Sequence, residues 1–110
     1  MNLKIVWSDY AESQLDKIFE YYLEKASYKV ARKIIEKIIN EPDKLLFDPE
    51  ICQKEELLKD RIEEYRYLIC DNYKIIYSVD QKQPLIKIAN VFDTRQNPDM
   101  INKPERKDKR

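Results

Sequence analysis

Any acid–base chemistry in this chain falls to lysine, arginine, tyrosine, aspartate or glutamate, because its 110 residues include no histidine. Histidine is the commonest general acid–base group and metal ligand, so its absence narrows the options sharply. The chain also has no glycine. Glycine-rich cradles for dinucleotides and P-loop phosphates need that residue where the backbone meets the ligand, so the usual nucleotide-binding enzymes are excluded. Cys52 and Cys70 are too few and too far apart for a metal-binding motif, and reduced thiols are expected. No metal and no cofactor is expected from this set of groups.

Charge gives a weaker signal. The 21 basic and 21 acidic residues cancel, so the whole protein is not an obvious polyanion binder. The distribution is uneven. Residues 1–64 carry 11 basic and 15 acidic side chains, whereas residues 65–110 carry 10 basic and 6 acidic. The second half is therefore the one expected to face an anionic partner.

The elements that must position these groups follow from periodicity. Leu3-Lys-Ile-Val-Trp7 alternates and reads as a first strand. Ser8 is a helix N-cap with Asp9 in the first turn, and Ala11, Leu15, Ile18, Phe19, Tyr22 and Ala26 recur at helical spacing. Ser27 opens a second helix whose buried stripe is expected to be Val30, Ala31, Ile34, Ile35 and Ile38. Pro42 predicts a break, after which Leu45, Leu46 and Phe47 form a further apolar turn. A connection this short between helices predicts an antiparallel αα-hairpin. Residues 48–63 read as a loop with about one helical turn.

Beyond residue 64 the period changes to two. Tyr65–Cys70 and Tyr73–Val79 read as strands around Asp71-Asn72, a two-residue turn that tolerates positive φ without glycine. Leu85–Thr94 completes a three-stranded antiparallel meander. The fold class predicted is α+β: N-terminal strand, αα-hairpin, then meander, with the first strand at the sheet edge. One domain is expected over residues 1–98, followed by a polar, frayed tail over 99–110. No N-terminal apolar stretch resembles a signal peptide and no run is long enough to span a membrane, so a cytoplasmic location is expected.

The stretch Tyr65-Arg-Tyr-Leu-Ile-Cys-Asp-Asn-Tyr-Lys-Ile-Ile-Tyr77, followed by Val91-Phe-Asp-Thr-Arg-Gln-Asn-Pro98, resembles the RelE/ParE toxin superfamily. In that family an arginine-bearing strand turns directly into a Tyr-Arg/Lys-x-x-Tyr strand, and a final strand ends in a basic residue. The element order matches too, so the resemblance covers about residues 3–98. It implies the toxin of a type II toxin–antitoxin pair, with growth inhibition and plasmid stabilisation as its roles. Two modes of action are implied. RelE-like toxins cut messenger RNA on the ribosome without metal; ParE-like toxins poison DNA gyrase with no known hydrolytic site. Both are neutralised by a cognate antitoxin, and a homodimer or a toxin–antitoxin hetero-oligomer is the expected assembly.

By this resemblance Arg66, Lys74 and Arg95 are the residues nearest to the basic positions of a RelE-like nuclease. Such an enzyme needs cations around the phosphorane-like transition state and a group that moves the 2′-hydroxyl proton. The chain departs from that pattern: Tyr67, Leu68 and Ile69 stand where extra cations are usual, and Gln96 to Met100 has neither histidine nor tyrosine. Register argues the same way. A two-residue turn at 71–72 sets Arg66 opposite Tyr77 and Ile69 opposite Lys74, which puts Arg66 and Lys74 on opposite faces. The expectation is a ParE-like, non-nucleolytic toxin acting on gyrase, with Arg66, Tyr77, Arg95 and Asn97 contacting target or antitoxin. The alternatives are a RelE-like mRNA endonuclease and an inactive homologue that only binds antitoxin.

Overall fold

The computed structural model describes residues 3–47, 64–80 and 82–95. In chain order these form β1 (Lys4–Trp7), α1 (Asp9–Lys25), α2 (Tyr28–Asn40), a 3-10 helix (Glu41–Leu46), β2 (Arg66–Cys70), β3 (Tyr73–Val79) and β4 (Leu85–Asp93). The mixed α+β layout of strand, two helices and further strands is the one the sequence predicts. The expected loop at 48–63 and the polar tail lie outside the described residues.

Both helices start where a serine can accept a backbone hydrogen bond. The Ser8 hydroxyl accepts from the Ala11 N–H at 3.0 Å, and the Ser27 hydroxyl accepts from the Val30 N–H at 3.1 Å. Each satisfies one of the donors that a helix start leaves unpaired. Asp9 and Glu12 in the first turn of α1 and Lys25 in its last complement the helix dipole. α2 ends at Asn40, and Pro42 sits near the start of the 3-10 helix, where a missing N–H costs little. Leu45 turns inward and is fully buried, whereas Phe47 is 93% exposed. Val30 and Ala26 also lie at the surface rather than in the expected stripes. The two helices meet through residues such as Phe19 and Tyr28, whose rings pack edge to face at 6.0 Å.

The sheet order is β1-β4-β3-β2, so β1 and β2 are its edges. β1 runs parallel to β4, and the other pairs are antiparallel. The β2–β3 hairpin has the register set by Asp71-Asn72: Cys70 opposite Tyr73, Ile69 opposite Lys74, Arg66 opposite Tyr77. Asp71 adopts φ 56°, a left-handed conformation that a short polar side chain tolerates in a chain without glycine. Two contacts fix this corner. Lys37 Nζ donates to Asp71 Oδ1 at 2.9 Å, and both the N–H and the hydroxyl of Thr94 donate to the Asn72 carbonyl at 2.8 Å.

The β3–β4 ladder contains a bulge. Ile76 pairs with Asn90 but Tyr77 pairs with Ile88, which leaves Ala89 as an extra residue on β4. Before the bulge Ile86 and Ile88 face the helices; after it, Val91 does. The phase of β4 has therefore slipped by one, and Phe92 joins Ile76 on the opposite face. The helix-side core is built from Leu68, Cys70, Tyr73, Ile75, Tyr77, Ile86, Ile88 and Val91 against Ala11, Ile38 and Leu45. Ser8 ties the bulge to the helix start: its hydroxyl donates to the Ala89 carbonyl at 3.1 Å, and its N–H donates to the Ile88 carbonyl at 2.9 Å.

Candidate functional site

The bulge decides which face the end of β4 presents. Counting on from Val91, Asp93 points toward α1, and the chain then turns so that Arg95 lies on the same side. With unbroken alternation from Ile88, Asp93 would have pointed the other way. The result is a groove of about 330 Å³ between α1 and the ends of β3 and β4. Its lining is Gln14, Lys17, Ile18 and Tyr21 from α1, Tyr73 from β3, and Val91, Asp93 and Arg95.

Asp93 orients Arg95 with three hydrogen bonds. The Arg95 backbone N–H donates to Asp93 Oδ1 at 2.9 Å, Nε donates to Oδ1 at 3.0 Å, and Nη2 donates to Oδ2 at 2.9 Å. This two-pronged fit of guanidinium to carboxylate fixes direction as well as charge. The Arg95 hydrogen bond holds the Asp93 carboxyl below the usual carboxylate range, against a smaller opposing effect of burial. The Tyr22 hydroxyl meets the Tyr73 hydroxyl at 3.5 Å. Burial, and then that contact, pushes the Tyr73 phenol up, so it stays protonated. The Tyr73–Tyr22 contact thus joins β3 to α1, and the Arg95–Asp93 pair organises the end of β4.

A pH dependence follows from the sign of the Asp93 shift. A carboxyl whose folded-state pKa is lowered stabilises the fold above its ordinary pKa, and loses that contribution as the pH falls through the lowered value. Asp93→Asn should therefore be slightly less stable than wild type at neutral pH, because the pair is partly solvent-screened. The difference should close as the pH drops below about 4, the ordinary aspartate value. Denaturation curves collected across that range check it; a gap that persists in acid would contradict it.

The sequence-predicted site residues do not converge. Arg66 begins β2 and lies on the helix side of the sheet, opposite Tyr77. Its side chain is only 16% exposed, and Nη2 pairs with Glu64 Oε2 at 2.7 Å. Lys74 lies on the other face, with Nζ 4.5 Å from the centroid of the Tyr67 ring. Arg95 follows Asp93, which pairs with Tyr73 at the turn end of the hairpin. Four residues of strand separate that end from Arg66, about 13 Å at the usual rise. The three cations occupy two faces and two ends of the sheet.

Tyr77 needs correction as a contact residue. It is fully buried, because the intact β2–β3 register and the bulge opposite it both turn its ring into the helix-side core. Asn97 lies outside the described residues, as does Cys52. Cys70 is buried beneath the helices, and that burial pushes its thiol up, away from the reactive thiolate. Lys17, Gln14 and Asp93 line the groove without having been singled out as site residues from the sequence. The one available signal was the break in alternation across Ile88-Ala89-Asn90-Val91, which marks a bulge. Among the described residues no group of acidic or thiol side chains could hold a metal ion, and no helix is long and apolar enough to cross a membrane.

Comparison with known proteins gives the geometry a family. No curated protein sequence matches the chain. Among solved structures it is similar to a chain from the chromosomal ParDE toxin–antitoxin system of P. aeruginosa, at 17% sequence identity and a TM-score of 0.68. That match covers 83% of this chain and 95% of the other, and it bears on the fold alone. The family model for the ParE toxin of the parDE type II toxin–antitoxin system matches residues 5–98, which takes in both helices and every described strand except the first residue of β1. The chain belongs to the ParE family of type II toxin–antitoxin toxins.

Proposed function

We propose that this protein is a growth inhibitor that acts on DNA gyrase by binding, in the cytoplasm, and that a cognate antitoxin holds it inactive. The family match over residues 5–98 supports the toxin and antitoxin parts of this reading. The observation that carries the mode of action is the scatter of the three candidate cations. A metal-free ribonuclease must bring several donors to within hydrogen-bonding distance of one phosphate as charge develops on it. Here Lys74 faces away from Arg66 across the sheet, and Arg66 and Arg95 lie at opposite ends of the hairpin. Such an arrangement suits recognition of a surface better than stabilisation of one transition state. Stabilisation of a plasmid carrying the gene pair is the corresponding biological role.

The test in cells is to induce the protein alone in a bacterial host and follow chromosomal DNA breaks and messenger RNA integrity side by side. Early DNA breaks with an SOS response and intact transcripts are expected. Rapid transcript cleavage within codons would replace this reading with the RelE-like one. Unimpaired growth at verified expression would leave an inactive homologue that only binds antitoxin.

A further inference from the structure

β1 is an edge of the sheet, and β4 is its one strand neighbour. The Lys4 N–H donates to the Pro84 carbonyl and the Ser8 N–H to the Ile88 carbonyl, both at 2.9 Å. Residues 4, 6 and 8 therefore direct their backbone groups into the sheet, and those of Ile5 and Trp7 point away from it. Among the described residues no hydrogen bond reaches those outward groups. An edge of this kind is a template for another strand. Shortness and one lysine protect it, but β1 has neither proline nor bulge. Ile5 and Trp7 turn their side chains to the helix-side core, while Val6 stands on the other face, 44% exposed. Lys4 and Asp9 are exposed, and neither has an ion pair among the described residues.

We propose that β1 pairs antiparallel with β1 of a second copy of this chain, joining the two sheets into one across a two-fold axis at Val6. With Val6 opposite the partner's Val6, Ile5 of each copy stands opposite the partner's Trp7. Every outward backbone group of Ile5 and Trp7 is then engaged, which no other antiparallel register of Lys4–Trp7 achieves. The two valines form a close pair with Cα atoms about 4.5 Å apart, and their exposed surface leaves water. Each isoleucine and tryptophan make an aliphatic–aromatic cross-strand pair. Lys4 falls opposite the partner's Ser8, one residue from the partner's Asp9, so each copy brings a cation to the other's carboxylate. This reciprocity of backbone, apolar and charged groups is what an isologous contact needs, and it favours a second copy over an unrelated strand. The contact is small, so dimer and monomer exchange. The proposal depends on neither the antitoxin nor the gyrase reading.

The test is sedimentation equilibrium of the full chain, purified without any partner. The mean mass of wild type should rise from that of one chain toward that of two as the concentration is raised to about 1 mM. Val6→Lys sets two ammonium groups face to face on the axis and should weaken dimerisation about tenfold or more. Lys4→Glu and Asp9→Lys should each weaken it by about threefold or more, since each exposed pair occurs twice. The combined Lys4→Glu/Asp9→Lys variant should recover to within about twofold of wild type, a rescue that damage to the fold would not produce. Ile69→Lys, at an exposed position on the other edge strand, should leave the dimer unchanged. A wild type that stays monomeric to about 1 mM would overturn the proposal, and is the result expected if β1 awaits a strand from a different protein. A dimer indifferent to Val6→Lys, or one broken by Ile69→Lys instead, would also overturn it. Failure of the gyrase reading shows separately, as an absence of DNA breaks with the dimer intact.

Discussion

Tyr77→Ala should destabilise the fold by about 3–5 kcal/mol, the range for removing a buried aromatic ring and leaving a cavity. The ring is fully buried between the hairpin and the helices, beside Ile75, Ile88 and Ala11 in one continuous core. It also stands at the point where the β4 register slips, so a partial collapse around the vacancy would have to move the bulge as well. Small domains are stable by about 5–15 kcal/mol in total, and such a loss would leave a large unfolded fraction in a cell. Tyr77→Phe keeps the ring and should cost less than about 2 kcal/mol, the scale of one buried hydroxyl's hydrogen bonding. Chemical denaturation of the two variants separates these terms. A loss within about 0.5 kcal/mol for Tyr77→Ala is what a surface position would give, and would contradict the burial. Loss of toxicity in Tyr77→Ala should not be read as loss of a contact.

Ser8→Ala should cost about 1.5–3 kcal/mol, because one hydroxyl makes two bonds that support different elements. As acceptor it caps α1 through the Ala11 N–H; as donor it satisfies the carbonyl of the bulged Ala89. Ser8→Asp separates the two roles. An aspartate caps a helix as well as a serine does, but its carboxylate has no hydrogen to give the Ala89 carbonyl. Its stability should fall between those of wild type and Ser8→Ala. An Asp variant as stable as wild type would mean that the bond to the bulge contributes nothing. The bulge is what turns Asp93 and Arg95 toward α1, so Ser8→Ala should also weaken whatever binds through Arg95, although Ser8 is remote from the groove.

The parts of the fold that were legible in the sequence are those specified by local chemistry. Ser8 and Ser27 mark helix starts because a side-chain acceptor is needed there, and Asp71-Asn72 fixes a two-residue turn because few other pairs tolerate its backbone without glycine. Once the turn is fixed, the pairing from Cys70–Tyr73 to Arg66–Tyr77 follows by counting, and so does the separation of Arg66 from Lys74. What was not legible depends on pairing across long stretches of chain. The parallel pairing of β1 with β4 joins residues about eighty positions apart, with no turn to announce it. The bulge at Ala89 is written only as a faltering alternation, and the Ser8 hydroxyl that bonds its carbonyl lies at the other end of the chain. The exposure of Phe47 shows the same limit, since it belongs to an apolar run and only packing decides which side chain turns inward.

The candidate site divides along the same line. Arg95 and Asp93 are two positions apart and their pairing is local. Lys17 comes from mid-helix, where a lysine every few residues is what any solvated face shows. It belongs with Arg95 only because the slipped phase of β4 lays the end of that strand along α1.

The most direct measurement of the central claim is made with purified components: this protein, bacterial DNA gyrase and relaxed plasmid, with supercoiling and DNA cleavage followed as the protein is titrated in. Supercoiling should fall and cleaved plasmid accumulate as the protein approaches equivalence with gyrase, and adding the antitoxin should reverse both. Full supercoiling at a large excess of folded protein, with cleavage of ribosome-bound messenger RNA by the same preparation, would contradict a gyrase-directed, non-nucleolytic toxin.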